Sequence, residues 1–279
     1  HSFPTRRSSD LVIVNKWTNP ANKLSWTFLI LLSPIFGLMV YFLFGRSGLT
    51  KHTRERMDAV NRQVEALFQR DSAVEKGLEK ESRSAYLQSS YIDKWAGFPL
   101  YQNTQTKYYS CGEEMFPDML EALRGAKHFI FLEYFIIEEG YMFNTILDIL
   151  EEKAKAGVDV RFIYDDVGSI NSISFGYYKK LQERGIPCVT FNPFKPLISV
   201  VMNNRDHRKI FVVDGYIGFT GGINLADEYI NKVKRFGYWK DTGVRIEGEA
   251  VWNLTAMFLE MWNYINRSTE DYSRFLPSV

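Results

Sequence analysis

A histidine, a lysine and an aspartate stand at short intervals in residues 207–224, whose sequence is HRKIFVVDGYIGFTGGIN. They are His207, Lys209 and Asp214, followed by the pair Gly221-Gly222 and by Asn224. A neutral imidazole is a good nucleophile toward phosphorus and can form a phospho-histidine intermediate. A lysine ammonium beside it can offset the negative charge that develops on phosphate oxygens in the transition state. The segment therefore predicts phosphodiester chemistry that needs no metal and no other cofactor.

The same segment is predicted to form a β-hairpin. Asp214-Gly215 is a two-residue turn signal between two apolar runs. Because side chains alternate along a strand, His207 and Lys209 are expected to project from one face. Asp214 is expected at the far end of that strand, where it would hold the turn or pair with a distant base.

The residues after the hairpin are predicted to contact a phosphate. Gly221 and Gly222 remove side chains where the backbone must pass close to a ligand, so their N–H groups could bind an anion. Asn224 adds an amide donor and is expected to open a following helix. With average residue frequencies, the whole spacing should occur by accident in about one in a hundred thousand chains.

Alternating strand and helix patterns begin near residue 95. The predicted strands are 129–137, 158–164 and 187–191, and the predicted helices are 142–156, 177–184 and 250–266. Strands separated by helices of this length indicate βαβ units and a largely parallel sheet covered on both faces. The predicted fold class is therefore α/β, with helices flanking a mixed or parallel sheet.

The N-terminal part differs in composition. Residues 24–44 carry no charge and are long enough to cross a bilayer as one transmembrane helix. More basic residues follow this stretch than precede it, which predicts that the C-terminal bulk lies in the cytoplasm. We expect a membrane anchor over 12–50, a connecting helix over 51–94 and a catalytic region over 95–279. Residues 1–11 resemble a translated sequencing adapter and are not expected to belong to the natural protein.

The bulk composition narrows the class of partner. The net charge of +1 comes from 34 basic and 33 acidic residues, so no overall field favours nucleic acid. The two cysteines, Cys111 and Cys188, cannot form a structural zinc site, and their scarcity suits a reducing compartment.

The motif H-x-K-x4-D-x6-G-G-x-N resembles the signature of the phospholipase D superfamily. Its surroundings resemble one branch, the bacterial cardiolipin synthases, over nearly everything after residue 11. The segments that carry this resemblance are NPANKLSW (19–26), IFGLMVYFLFGR (35–46), LEYFI (132–136), YDDVGS (164–169), NNRDHRK (203–209) and YWKDT (238–242).

The resemblance implies a transfer reaction between two molecules of phosphatidylglycerol at the cytoplasmic side of a bacterial cell membrane. One donates its phosphatidyl group to a histidine and releases glycerol, and the second attacks to give cardiolipin. Carried over to this sequence, it implies a catalytic set of His207, Lys209, Asp214 and Asp241, with Asp241 orienting the histidine. It also implies phosphate binding by Asn224, Gly221 and Gly222. Glu133 and Glu228 are further candidates, balanced between substrate binding and a structural role.

This family pairs two such motifs, so that one histidine attacks and the other protonates the leaving alcohol. The present sequence contains one motif, which predicts a phospholipase D-like half-domain completed by a missing C-terminal half or by a second chain. Two alternatives stay open. The protein could be a phospholipase D-type phosphodiesterase that uses water as the acceptor, or a non-catalytic membrane module.

Overall fold

The computed structural model describes residues 20–44, 51–193, 205–268 and 270–276. Two compact units contain these residues. One holds residues 20–44, and the other holds the described residues from 51 onward.

The stretch 24–44 is divided between two helices, α1 (Pro20–Leu32) and α2 (Pro34–Phe44). The prediction of one continuous helix is therefore wrong. Pro34 lacks an N–H and disfavours helical geometry in the residue before it, so the helix ends there and a new one begins. The two helices contact each other, with the rings of Trp26 and Tyr41 5.5 Å apart. Across the part of the chain that the structure describes, no helix is both long enough and apolar enough to span a bilayer.

The stretch 51–94, predicted as one connecting helix, contains three: α3 (Lys51–Glu65), α4 (Ser72–Glu81) and α5 (Arg83–Ala96). Ser82 separates α4 from α5, since its backbone is extended and its hydroxyl accepts from the Ala85 N–H. Such a capping interaction starts a new helix rather than continuing the old one. Val64 of α3 is fully buried in the core of the larger unit, so this unit begins well before residue 95.

A seven-stranded sheet forms the centre of the larger unit. Its elements are β1 (Thr104–Tyr109), α6 (Gly112–Gly125), β2 (Phe129–Tyr134), α7 (Tyr141–Lys155), β3 (Asp159–Asp165), α8 (Tyr177–Glu183), β4 (Cys188–Phe191), β5 (Ile210–Val213), β6 (Ile217–Gly221), a 3₁₀ helix (Asp227–Ile230), β7 (Gly243–Gly248), α9 (Val251–Asn266) and a second 3₁₀ helix (Tyr272–Phe275). The strand order is β1-β7-β6-β5-β2-β3-β4.

Only the β2–β3 and β3–β4 pairs are parallel, and the other four pairs are antiparallel. The predicted α/β class and mixed sheet are confirmed, whereas the expectation of a largely parallel sheet is wrong. The reason is the hairpin: β5 inserts beside β2 in the antiparallel sense, and β6, β7 and β1 extend the sheet in the same manner.

Both faces of the sheet are covered, as β2 illustrates, because every residue of this strand is buried. Ile130 and Leu132 join the core cluster that contains residues of α6, α7 and α8. Phe131 points to the other face and stacks on Phe258 of α9, with ring centroids 4.6 Å apart. A strand buried on both sides has no polar face, which explains why its sequence is apolar apart from Glu133 and the Tyr134 hydroxyl.

Candidate active site

His207 and Lys209 lie just before β5 and contact each other. The Lys209 Nζ is 3.1 Å from the His207 Nδ1 and donates to the His207 carbonyl at 2.7 Å. This contact agrees with the predicted shared face, although both residues precede β5 rather than belong to it. The two side chains differ in exposure: His207 is exposed, whereas Lys209 is 4% exposed.

An aromatic ring that the sequence analysis missed lies against both groups. The Phe135 ring centroid is 4.7 Å from that of His207 and 5.4 Å from the Lys209 Nζ. The face of an aromatic ring attracts a cation and supports a flat imidazole. Phe135 directly follows β2. Its position at the end of that strand, where a polar site was expected, is the signal in the sequence that could have identified it.

Burial lowers the pKa of Lys209 to about 8, against the opposing effect of the negative charges of Asp241 and Asp206. Desolvation disfavours the charged form of a lysine, and no carboxylate among the described residues is within ion-pair distance of this one. The ammonium is therefore poorly compensated by the protein, and it is held where it could donate to an incoming anion.

Asp241 is brought near Lys209 by the two glycines. A side chain at Gly222 would overlap the Asp241 carboxylate, and one at Gly221 would overlap the Thr242 carbonyl. Gly221 also has a φ of 150°, which favours glycine. The Gly222 N–H donates to the Thr242 carbonyl at 3.0 Å. That N–H is thus used within the protein, and both glycines allow the close approach of two chain segments. The predicted approach of the backbone to a ligand stays a prediction.

Asn224 is buried, and both ends of its carboxamide have protein partners. Its Oδ1 accepts from the Ile136 N–H at 3.0 Å, and its Nδ2 donates to the Tyr229 hydroxyl at 2.9 Å. The prediction that it opens a helix is wrong, because the next helix is capped at Ala226. Asn224 instead fixes the backbone beside Phe135.

Asp214 lies in the turn between β5 and β6, at the opposite end of the strand from His207. Asp214 and Gly215 both have positive φ, 52° and 66°, as a two-residue hairpin turn requires. The Asp214 carboxylate accepts from the backbone N–H groups of residues 127–129 at 2.7–2.9 Å. The structure therefore does not bring Asp214 to the other candidates, and its contacts are those of a residue that anchors β2.

The Glu133 side chain lies on the same face of the sheet as that of its cross-strand neighbour Ile210. It therefore points away from Lys209. Its Oε1 is 2.6 Å from an Arg208 nitrogen, and burial raises the pKa of Glu133 well above its usual value. The neighbouring Asp206 contacts both Glu133 and Arg208, which lower its pKa against burial. These contacts favour the structural reading of Glu133.

Glu228 is also paired within the protein. Its Oε1 is 2.9 Å from Arg235, which also contacts Glu138 at 3.1 Å. Over the described ranges, no group of three or more His, Cys, Asp and Glu side chains is arranged to hold a metal ion.

Comparison with known proteins identifies the family. Residues 119–262 match the family model described as "Cardiolipin synthase, PLD-like domain", and residues 11–46 match "Phospholipase_D-nuclease N-terminal". The chain belongs to the cardiolipin synthase family. The His207–Lys209 pair and Asp241 all lie within the first match.

Relatives from several bacteria agree with this family. The chain is 36% identical to cardiolipin synthase 1 of Bacillus cereus, over 91% of the chain and 50% of that protein. It is 37% identical to a cardiolipin synthase of Geobacillus sp., over 90% of the chain and 50% of that protein. An uncharacterized protein of Streptococcus mutans is 40% identical over 94% of the chain and 57% of its own length. The chain thus spans about half the length of the curated relatives it matches.

Two solved structures give weaker likenesses. Nuc from Salmonella typhimurium, a phospholipase D family member, is 22% identical with a TM-score of 0.42, over 61% of this chain and 97% of that one. The phosphatidylserine synthase of Haemophilus influenzae is 20% identical with a TM-score of 0.44, over 61% of this chain and 37% of that one.

Proposed function

We propose that this chain is part of a phosphatidyltransferase that converts two phosphatidylglycerols into cardiolipin and glycerol through a phosphatidyl-histidine intermediate. One observation carries the proposal: an exposed imidazole lies 3.1 Å from a buried ammonium that has no paired carboxylate among the described residues. Membership of the cardiolipin synthase family supports a phospholipid as the substrate.

His207 is the proposed nucleophile, and Lys209 is the proposed electrostatic partner. While the ammonium donates to Nδ1, the proton of a neutral imidazole sits on Nε2, and Nε2 cannot attack. When a phosphate arrives, Lys209 can transfer its donation to the non-bridging oxygens. Nδ1 then takes the ring proton, and Nε2 gains a free lone pair. Binding of the substrate and activation of the nucleophile would therefore be coupled.

Asp241 is proposed as a positioning residue for the imidazole, because a carboxylate that accepts from Nδ1–H holds the ring in the nucleophilic tautomer. Its placement against Gly222 and its electrostatic effect on Lys209 support this role. For Asn224, Gly221 and Gly222 we propose that they shape the phosphate site rather than bind phosphate directly.

The leaving glycerol needs a proton, and a second histidine motif is the proposed source. Curated relatives are about twice as long as this chain, so a second half-domain or a second copy of the chain could supply it. We propose that the assembled site lies against the cytoplasmic side of a bacterial membrane. Strongly exposed apolar side chains on α1 and α2 support lipid contact.

The test uses the full-length natural protein with phosphatidylglycerol, followed by lipid extraction. We expect cardiolipin and glycerol from the unaltered protein and no detectable product from His207→Ala. His128→Ala is the matched control, because this histidine is also exposed but lies beside the distant turn, and it should retain turnover. Phosphatidic acid as the sole product would favour the phosphodiesterase alternative. No product, or product unchanged by His207→Ala, would refute the proposal.

A further inference from the structure

The loop between the first 3₁₀ helix and β7 presents an unusual surface. Residues 232–238 are seven consecutive exposed residues without helix or strand. Three of them carry large apolar side chains in solvent: Val233 at 51%, Phe236 at 81% and Tyr238 at 65% exposed. Exposed apolar side chains that are contiguous in this way usually mark a binding surface.

The same loop is basic in a chain whose overall charge is nearly balanced. Its cations are Lys232, Lys234, Arg235 and Lys240, and no acidic residue occurs in residues 229–240. Arg235 is neutralised by Glu228 and Glu138. The three lysines form no ion pair with any residue that the structure describes, and Lys232 lies 4.0 Å from the centroid of the Tyr141 ring. About three positive charges are therefore presented beside the apolar side chains.

The base of the loop is held firmly. The Trp239 N–H donates to the Asn231 Oδ1 at 2.6 Å, and the Asn231 Nδ2 donates to the Trp239 carbonyl at 2.8 Å. The Trp239 ring packs on Tyr229 with centroids 5.1 Å apart. Lys240 directly precedes Asp241, so whatever binds the loop also binds next to the candidate active site.

We propose that this loop, residues 232–240, docks on the surface of a bilayer that contains anionic phospholipid. Lysines near an anionic bilayer are stabilised by electrostatic attraction to the lipid headgroups. Aromatic side chains with a polar tip preferentially lie at the level of the headgroups. Nucleic acid is the competing polyanion. Val233 has no ring on which a base could stack, and the remainder of the chain adds no basic excess, so a lipid surface fits better. The proposal rests on the proposed function in taking the substrate to be a membrane lipid.

A local probe tests the docking independently of any other membrane contact of the chain. An environment-sensitive fluorophore is attached at Phe236→Cys in the full chain, with Cys111→Ser to remove the half-buried thiol; Cys188 is buried. We expect blue-shifted emission and quenching by nitroxide lipids in vesicles that contain phosphatidylglycerol, but not in vesicles of phosphatidylcholine alone. The same label at Tyr216→Cys is the control, because this exposed residue directly precedes β6, about 17 Å along that strand from its other end at Gly221, and should stay unquenched.

Charge removal then tests the basis of recognition. At about 1 kcal/mol per lysine near the surface, Lys234→Gln with Lys240→Gln should lower the equilibrium constant for docking, obtained from the fraction of protein quenched at position 236, about 30-fold. The equal charge change at two exposed lysines of α4, Lys76→Gln with Lys80→Gln, should leave it within about twofold.

Three results would overturn the proposal: no quenching at position 236 in vesicle-bound protein, equal quenching in phosphatidylcholine, or a larger spectral response to single-stranded DNA than to anionic vesicles. Failure of docking with retained cardiolipin synthesis from detergent-dispersed lipid in the full-length protein would refute docking alone. Docking without turnover would leave docking supported and count against the proposed function.

Discussion

Replacing Lys209 with methionine is expected to stabilise the larger unit while removing the chemistry that we propose for it. The fall in the pKa of Lys209 from 10.5 to about 8 corresponds to a cost of about 3 kcal/mol in folding stability at neutral pH. Methionine cannot make the hydrogen bond that Lys209 donates to the His207 carbonyl, which contributes about 1 kcal/mol to folding stability. The net expectation is a gain of about 2 kcal/mol. In the full-length protein, turnover should fall about 100- to 1,000-fold, as for a lost transition-state donor.

Urea denaturation of the chain at pH 7 measures the stability change. The matched control is Lys153→Met, because Lys153 also donates to backbone carbonyls, at Arg124 and Ala126, but it is only partly buried and lies outside the site. We expect that variant to lose about 1–2 kcal/mol. If Lys209→Met were destabilised to the same degree, Lys209 would be an ordinary structural lysine and the reasoning would be refuted.

The lowered pKa of Lys209 also predicts how the stability and the turnover depend on pH. Between about pH 8 and 10.5 the native protein has lost the Lys209 proton while the unfolded chain still binds it. The unfolded state then binds more protons, so the contribution of this group to stability rises with pH across that window. The advantage of Lys209→Met should therefore shrink as the pH rises from 8 to 10.5. Turnover of the full-length protein should decline above about pH 8, because the required ammonium is lost.

Two further variants separate structural residues from the site. Asp214→Ala should cost about 3 kcal/mol in urea denaturation, because three backbone N–H groups of residues 127–129 lose a charged acceptor, while the turnover of the folded full-length protein stays unchanged. A selective loss of turnover would instead return Asp214 to the catalytic set. Gly222→Ala should displace the Asp241 carboxylate and lower turnover, and Asp241→Asn in the same protein should add no further loss. Additive losses would show that the two positions act separately.

Features set by neighbours in the chain were predictable from the sequence. The periodicity of residues 129–191 places β2, α7, β3, α8 and β4 within a few residues of their observed bounds. The Asp214-Gly215 turn follows from local chemistry, because both residues tolerate positive φ. The contact between His207 and Lys209 agrees with the shared face predicted from their spacing, although both residues lie just before β5 and not within it.

The tertiary structure alone decided which residues distant in sequence become hydrogen-bond partners or neighbouring strands. A polar side chain binds a ligand only where the protein has not already used its donors and acceptors, and that depends on packing. The Asn224 carboxamide accepts from the Ile136 N–H, and the Gly222 N–H donates to the Thr242 carbonyl. These two groups were predicted to bind phosphate, but they are hydrogen-bonded within the protein. The sheet is mixed for the same reason, since strand order is set by long-range burial and not by local pattern. The sequence by itself therefore determined the family and the candidate pair His207 and Lys209, and only the packed chain decided which polar groups around that pair are not already bonded within the protein.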